Sequence, residues 1–79
     1  MPIIANLNGL LQELIGELRC ESYSEPSVGG MVYTIVTGSE DWEYCYRRIA
    51  YLTSCWRGMY IIGITGGVDI TVFVDEVAS

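Results

Sequence analysis

The side chains able to do covalent or proton chemistry in this chain are three cysteines, Cys20, Cys45 and Cys55, and ten carboxylates. Histidine is absent, which removes the commonest general base and metal ligand. Ser-His-Asp and Cys-His nucleophilic arrangements go with it. A cysteine-rich zinc site needs four thiolates, or carboxylates in their place, and the cysteines here are scattered without C-x-x-C spacing. Cys45 and Cys55 fall about 15 Å apart along a helix axis, too far to bridge within it. A thiol that reacts fast at neutral pH has a lowered pKa and access to solvent. Cys55, near Arg48 at a helix margin, and Cys20 are the candidates, set against the simpler role of small, partly buried hydrophobes. The neighbouring acids Glu40-Asp41 and Asp75-Glu76 suit caps or solvated charge better than a paired acid and base. Asp69 and Asp75 flank the last strand and meet only if another element brings them together. The expectation is a protein that is not an enzyme and holds no metal and no cofactor.

Binding chemistry is better represented. Tyrosine, tryptophan and arginine dominate the energetically important positions of protein interfaces. Tyr44 and Tyr51 lie two helical turns apart with Arg47 between them and Arg48 at the margin, which makes one helix-borne patch. Glu13, Glu17 and Glu21 follow at four-residue spacing and form an acidic ridge along an earlier helix. A carboxylate ridge can imitate a phosphate backbone and occupy an arginine-lined groove. These seven residues are the candidate partner-binding set. Tyr60, Ile62, Ile64 and Phe73 share the reverse side of a hairpin and are the candidate self-association surface.

The elements that must carry these residues follow from patterning. Leu7, Leu10, Leu11, Leu14, Ile15 and Leu18 repeat at the spacing of one helical face, so a first helix is expected from Asn6 to about Ser22. Residues 1–5 read as an apolar lead-in. Residues 23–30, YSEPSVGG, read as the main loop, because Pro26 disfavours helix before it and Gly29-Gly30 supplies a turn. Residues 31–37 are β-branched and aromatic between glycines, a strand. Ser39 is a suitable N-cap for a second helix that ends near Arg57, with Gly58 as the stop. Its inner face would hold Trp42, Cys45, Tyr46, Ile49, Leu52, Thr53 and Trp56. Residues 59–65 and 68–74 make two strands joined by Gly66-Gly67, which suits a two-residue hairpin turn. That register sets Tyr60 opposite Phe73, Ile62 opposite Thr71 and Ile64 opposite Asp69. The tail after Val74 is acidic and expected to fray.

The expected fold is therefore α+β, a single domain over residues 1–79. Two helices pack on one side of a three-stranded, mainly antiparallel sheet in the order α-β-α-β-β, with the last strand in the centre. The reverse face of the sheet is rich in apolar atoms, where a solvated sheet would alternate more cleanly. Either the N-terminal segment or first helix covers it, or it is an interface.

The formal charge is −6, and the only cations are Arg19, Arg47, Arg48 and Arg57. Such a balance disfavours direct nucleic-acid binding, which needs a basic face, and favours basic protein surfaces. No run approaches the roughly 18 apolar residues of a membrane span. The N-terminal stretch lacks the positive start of a secretory signal, and an odd number of unspaced cysteines fits reduced thiols in the cytoplasm. These features imply an acidic protein-interaction module, self-associating as a homodimer. The alternative is a small-ligand regulatory domain with an aromatic pocket lined by Trp42, Tyr46 and Trp56 between the second helix and the sheet. In size, acidity and lack of catalytic groups the chain is similar to phage-encoded anti-CRISPR proteins. The likeness is one of overall character, carried by no motif. It implies a viral inhibitor that masks a basic, nucleic-acid-binding surface on a larger complex.

Overall fold

The computed structural model describes residues 6–77, so the apolar lead-in at residues 1–5 lies outside it. The elements run α1 (Leu7–Leu18), β1 (Glu21–Ser27), β2 (Gly30–Val36), α2 (Trp42–Cys55), β3 (Met59–Thr65) and β4 (Asp69–Asp75). The sheet has four strands in the order β1-β2-β4-β3, and every neighbouring pair is antiparallel. The expectation of three strands is thus overturned by β1, which occupies the stretch read as a loop. The strand expected at the centre does lie between β2 and β3.

Strand β1, ESYSEPS, has the composition of a loop and no buried residue. It becomes a strand because Val28-Gly29 reverses the chain, with Gly29 at φ 84°. The turn lays Ser27 beside Gly30 and Glu21 beside Val36. Pairing with a strong strand former outweighs weak intrinsic propensity. Pro26 is tolerated because β1 is the sheet edge.

Helix α1 is capped by Asn6, whose Oδ1 accepts from the Gly9 amide at 2.8 Å. It ends four residues earlier than expected. Arg19 takes a left-handed conformation at φ 59°, and the Arg19 and Cys20 amides donate to the Gly16 and Ile15 carbonyls. This is the usual way to satisfy the last carbonyls of a helix, with arginine in the place glycine normally takes. Helix α2 starts at Trp42 after Asp41, not after Ser39. The Asp41 amide instead closes a turn onto the Gly38 carbonyl at 3.1 Å. At the other end Trp56 turns extended and exposed, so it leaves the inner face assigned to it.

The β3–β4 hairpin follows the expected register only in its lower half. Met59, Ile61 and Tyr60 pair with Val74, Val72 and Phe73, but an irregularity between Ile61 and Gly63 shifts the rest. Gly63 faces Thr71, Ile64 faces Ile70 and Thr65 faces Asp69. The expected pairs of Ile62 with Thr71 and Ile64 with Asp69 are replaced. The turn contains three residues, Gly66 to Val68, and Thr37 Oγ1 donates to the Val68 carbonyl at 2.6 Å. That bond ties Val68 to the end of β2 rather than to β3.

One side of the sheet holds the core. Tyr33 and Ile35 of β2, Ile70, Val72 and Val74 of β4 and Met59 of β3 meet Leu7, Leu11, Leu14 and Ile15 of α1 and Cys45 and Ile49 of α2. The Tyr33 hydroxyl, at the buried end of its ring, donates to Asn8 Oδ1 at 2.7 Å, as a buried polar atom must.

Candidate functional site

Because both helices pack on one side, none of the described elements covers the other side of the sheet, the open face. Strand alternation decides what it presents. One row across the sheet reads Glu25, Val32, Phe73, Tyr60, and the next reads Tyr23, Thr34, Thr71, Gly63. Beyond them Glu21 lies beside Val36, and Asp69 beside Thr65. None of these side chains belongs to the core or packs against it. Tyr23 and Tyr60 are more than half exposed. Ile62, also more than half exposed, sits in the irregularity between Ile61 and Gly63 on the outer strand β3.

Local contacts hold the centre of the face in place. The Tyr60 and Phe73 rings stack with centroids 6.4 Å apart and planes 18° from parallel. The far end of the Phe73 ring covers Gly29 and Gly30, where any added Cβ would meet it. Thr65 and Thr71 share a hydroxyl hydrogen bond at 3.0 Å. The result is a fixed apolar and hydroxyl surface. Carboxylates rim it, with Glu21 and Glu25 on the β1 edge and Asp69 and Asp75 at the two ends of β4. All four arginines lie off this face, on α2, at the end of α1 or in the turn before β3. Three strand spacings by seven residues give a footprint of about 330 Å². That is the size of patch that often marks function on a small protein. It is less than the roughly 800 Å² per partner of a stable interface, so an occupant must also reach the acidic rim.

The residues of the expected partner-binding set fall elsewhere. Glu13, Glu17, Arg48 and Tyr51 come together with Leu10, Leu14 and Leu52 around a groove of about 190 Å³ between α1 and α2. Arg48 donates to Glu17 at 3.0 Å and to the Tyr44 hydroxyl at 2.9 Å, and its guanidinium lies 5.8 Å from the Tyr44 ring centre. The Tyr44 hydroxyl and then Glu17 hold the Arg48 charge in place and raise its pKa. Arg47 turns away to Glu43 at 2.7 Å, an exposed pair within one helix. Such pairs contribute a few tenths of a kcal/mol. Glu21 leaves the ridge altogether, because α1 ends at Leu18 and carries it into β1. The acidic ridge is therefore broken, with Glu17 already neutralised and only Glu13 left beside it.

Of the self-association set, Tyr60 and Phe73 share the open face, while Ile62 is exposed in the β3 irregularity beside them. Ile64 faces Ile70 across the ladder and so points to the helix side of the β3 edge. Trp42 and Tyr46 stack at 5.2 Å against the core. Trp56 instead lines a separate, open cleft of about 430 Å³ with Cys55, Arg57, Met59 and Tyr60. The three aromatic residues do not enclose one pocket.

Sequence reasoning missed two features. Tyr23, Val32, Thr34 and Val36 complete the open face, and the alternation in MVYTIVT could have assigned the last three to one side. The second is a sulfur pair. Cys20 Sγ and Cys45 Sγ lie 3.6 Å apart, and Cys20 Sγ also reaches the Leu18 carbonyl. Burial first, then the hydrogen bond and charge of Cys45 and the nearby Asp41 carboxylate, push the Cys20 thiol up to about 11. All three cysteines are free thiols. Among the described residues no three cysteine, aspartate or glutamate side chains gather as metal ligands, and no helix is long and apolar enough to cross a membrane. No protein-family model, curated protein or solved structure matches the chain.

Proposed function

We propose that this chain is a non-enzymatic protein-interaction module that docks its partner on the open face of the sheet. The single observation that carries the reading is that face: a fixed apolar centre ringed by four carboxylates and free of cations. The matching partner surface is apolar in the middle and basic at its margin. An inhibitor that covers a basic, nucleic-acid-binding surface of a larger assembly is the specific form of this reading, acting in a cytoplasmic setting. A second copy of the chain is the competing occupant. Charge opposes it, since face-to-face packing would bring two sets of four carboxylates together.

The test is affinity capture with the wild type, with Tyr23→Ala/Tyr60→Ala on the sheet face, and with Tyr44→Ala/Tyr51→Ala on α2. A partner lost with the first pair and retained with the second supports the reading. Its binding should weaken as salt rises, and Glu25→Gln/Asp75→Asn should flatten that dependence. Loss with the α2 pair alone would move docking to the helix groove and sink the proposal. Light scattering separates the remaining case. A dimer that becomes a folded monomer in Tyr60→Glu/Phe73→Glu would give the face to a second copy.

A further inference from the structure

The two sulfurs in contact lie on elements far apart in sequence. Cys20 follows the end of α1 at the corner into β1, and Cys45 sits one turn into α2. Their separation of 3.6 Å must close by only about 1.5 Å to reach the bonded length of a disulfide. Cys20 is half-buried and can be reached from solvent, while Cys45 is buried beneath it. Cys55 is exposed at the far end of α2, and its place along the same helix keeps it away from Cys45. The arrangement therefore has an entry thiol and a resolving thiol, and a third thiol outside the pair.

We propose that Cys20 and Cys45 form a dithiol site that a low-molecular-weight disulfide oxidises to an intramolecular bond. The Cys20 thiolate attacks one sulfur of oxidised glutathione. The glutathione S–S bond breaks, a mixed disulfide forms at Cys20, and glutathione thiolate leaves. The Cys45 thiolate then attacks the Cys20 sulfur, displacing the second glutathione thiolate. Two protein thiols lose their protons and two electrons, and one glutathione disulfide becomes two glutathione thiols. The raised pKa of Cys20 makes the first step slow near neutral pH and faster as pH rises. The second step is fast because the resolving sulfur is already in contact. The covalent loop so closed contains all of β1 and β2, and with them Tyr23, Val32, Thr34 and Val36 of the open face. Oxidation would thus tie the hairpin carrying half of that face to the helix layer. The chemistry does not depend on the docking reading.

The experiment uses the Cys55→Ser protein, which removes the exposed third thiol. The folded chain is incubated with oxidised glutathione at pH 8.5, alkylated, and read by intact mass and peptide mapping under non-reducing conditions. The expected product is a monomer lighter by about 2 Da, with Cys20 linked to Cys45, and with an unfolding midpoint above that of the reduced chain. Cys45→Ser should instead accumulate glutathione on Cys20. Retained glutathione in the protein with both thiols present, a disulfide-linked dimer, or a link that forms only in urea would each overturn the proposal.

Discussion

How much the sheet buries can be asked with the same chemical change at a core position and at an exposed position of the outer strand β3. Ile35 of β2 is 0% exposed and Ile62 of β3 is 56% exposed. Truncating Ile35 to alanine removes three buried carbon groups, about 2.4 kcal/mol at roughly 0.8 each. The cavity left in the core beside its ladder partner Ile70 adds up to about 1–2 kcal/mol, since strands fixed by their ladders collapse poorly. The total is about 3–4 kcal/mol. A domain of this length has about 4–12 kcal/mol of stability in all. Truncating Ile62 forfeits less than half of the transfer contribution and leaves no cavity, so about 1 kcal/mol or less. In urea, with a slope of about 1 kcal/mol per molar for so small a chain, Ile35→Ala should lower the midpoint by about 3 M, and Ile62→Ala by no more than about 1 M. The measurement is equilibrium unfolding followed by tryptophan fluorescence at two protein concentrations. Equal losses at the two positions would refute the exposure of β3, the outer strand that carries Tyr60 of the open face. A loss at Ile62 that grows with protein concentration would identify a second copy as its cover.

Gly30 is expected to refuse any side chain, because an added Cβ would collide with the Val74 carbonyl and the Phe73 ring. Gly30→Ala should cost at least about 2 kcal/mol, a value in the range of overpacking. Gly63→Ala, with open space around it, should be close to neutral, and urea midpoints of the two variants check the contrast. The Cys20 thiol also makes stability depend on alkaline pH. Burial and then the Cys45 sulfur push its folded pKa up to about 11, above the ordinary thiol value of 9.0, so the unfolded chain releases its proton first. The contribution is fully present below pH 9 and is lost as pH rises from 9 to 11. Cys20→Ser should flatten that part of the stability profile, and a slope left unchanged would count against the burial argument.

How much of this was legible beforehand varied with the physical origin of each element. The core stripe of α1 and the inner positions Cys45 and Ile49 of α2 were readable, because helical periodicity is imposed by the burial it reports. The β3–β4 hairpin was readable as a pair but not in its full register. A bond from Thr37 Oγ1 to the Val68 carbonyl is a tertiary event that no turn motif announces. The end of α1 was hidden because Arg19 takes the left-handed position without being glycine. That one residue decided the fate of Glu21, which moved from a helical ridge to the rim of the sheet. The sulfur pair was invisible for a plainer reason: the cysteines are 25 positions apart and meet only once α1 and α2 lie side by side. As for the candidate site, Tyr60 and Phe73 were placed together from the hairpin register. The remaining half of the face depended on β1.

Strand β1 is therefore where the fold and the proposed function meet. All seven of its residues are exposed, so burial contributes almost nothing to holding it. What remains is the ladder to β2 and the turn at Val28-Gly29, reinforced where the Glu76 amide donates to the Gly29 carbonyl at 2.9 Å. An edge held mainly by backbone hydrogen bonds opens locally at low free-energy cost. The charges of Glu21 and Glu25 and the missing amide of Pro26 protect it from pairing with other chains. In hydrogen exchange its amides should therefore exchange fastest among the strands, and those of the central β4 slowest, by at least about two orders of magnitude. A partner seated on the open face covers Tyr23, Glu21 and Glu25, so its binding should slow exchange in β1 far more than in β4, which is already protected. Protection that rises instead along α1 and α2, with β1 unchanged, would place the partner on the helix groove. If β1 is as protected as β4 in the free chain, something beyond the described residues covers the face, and docking there would require its displacement.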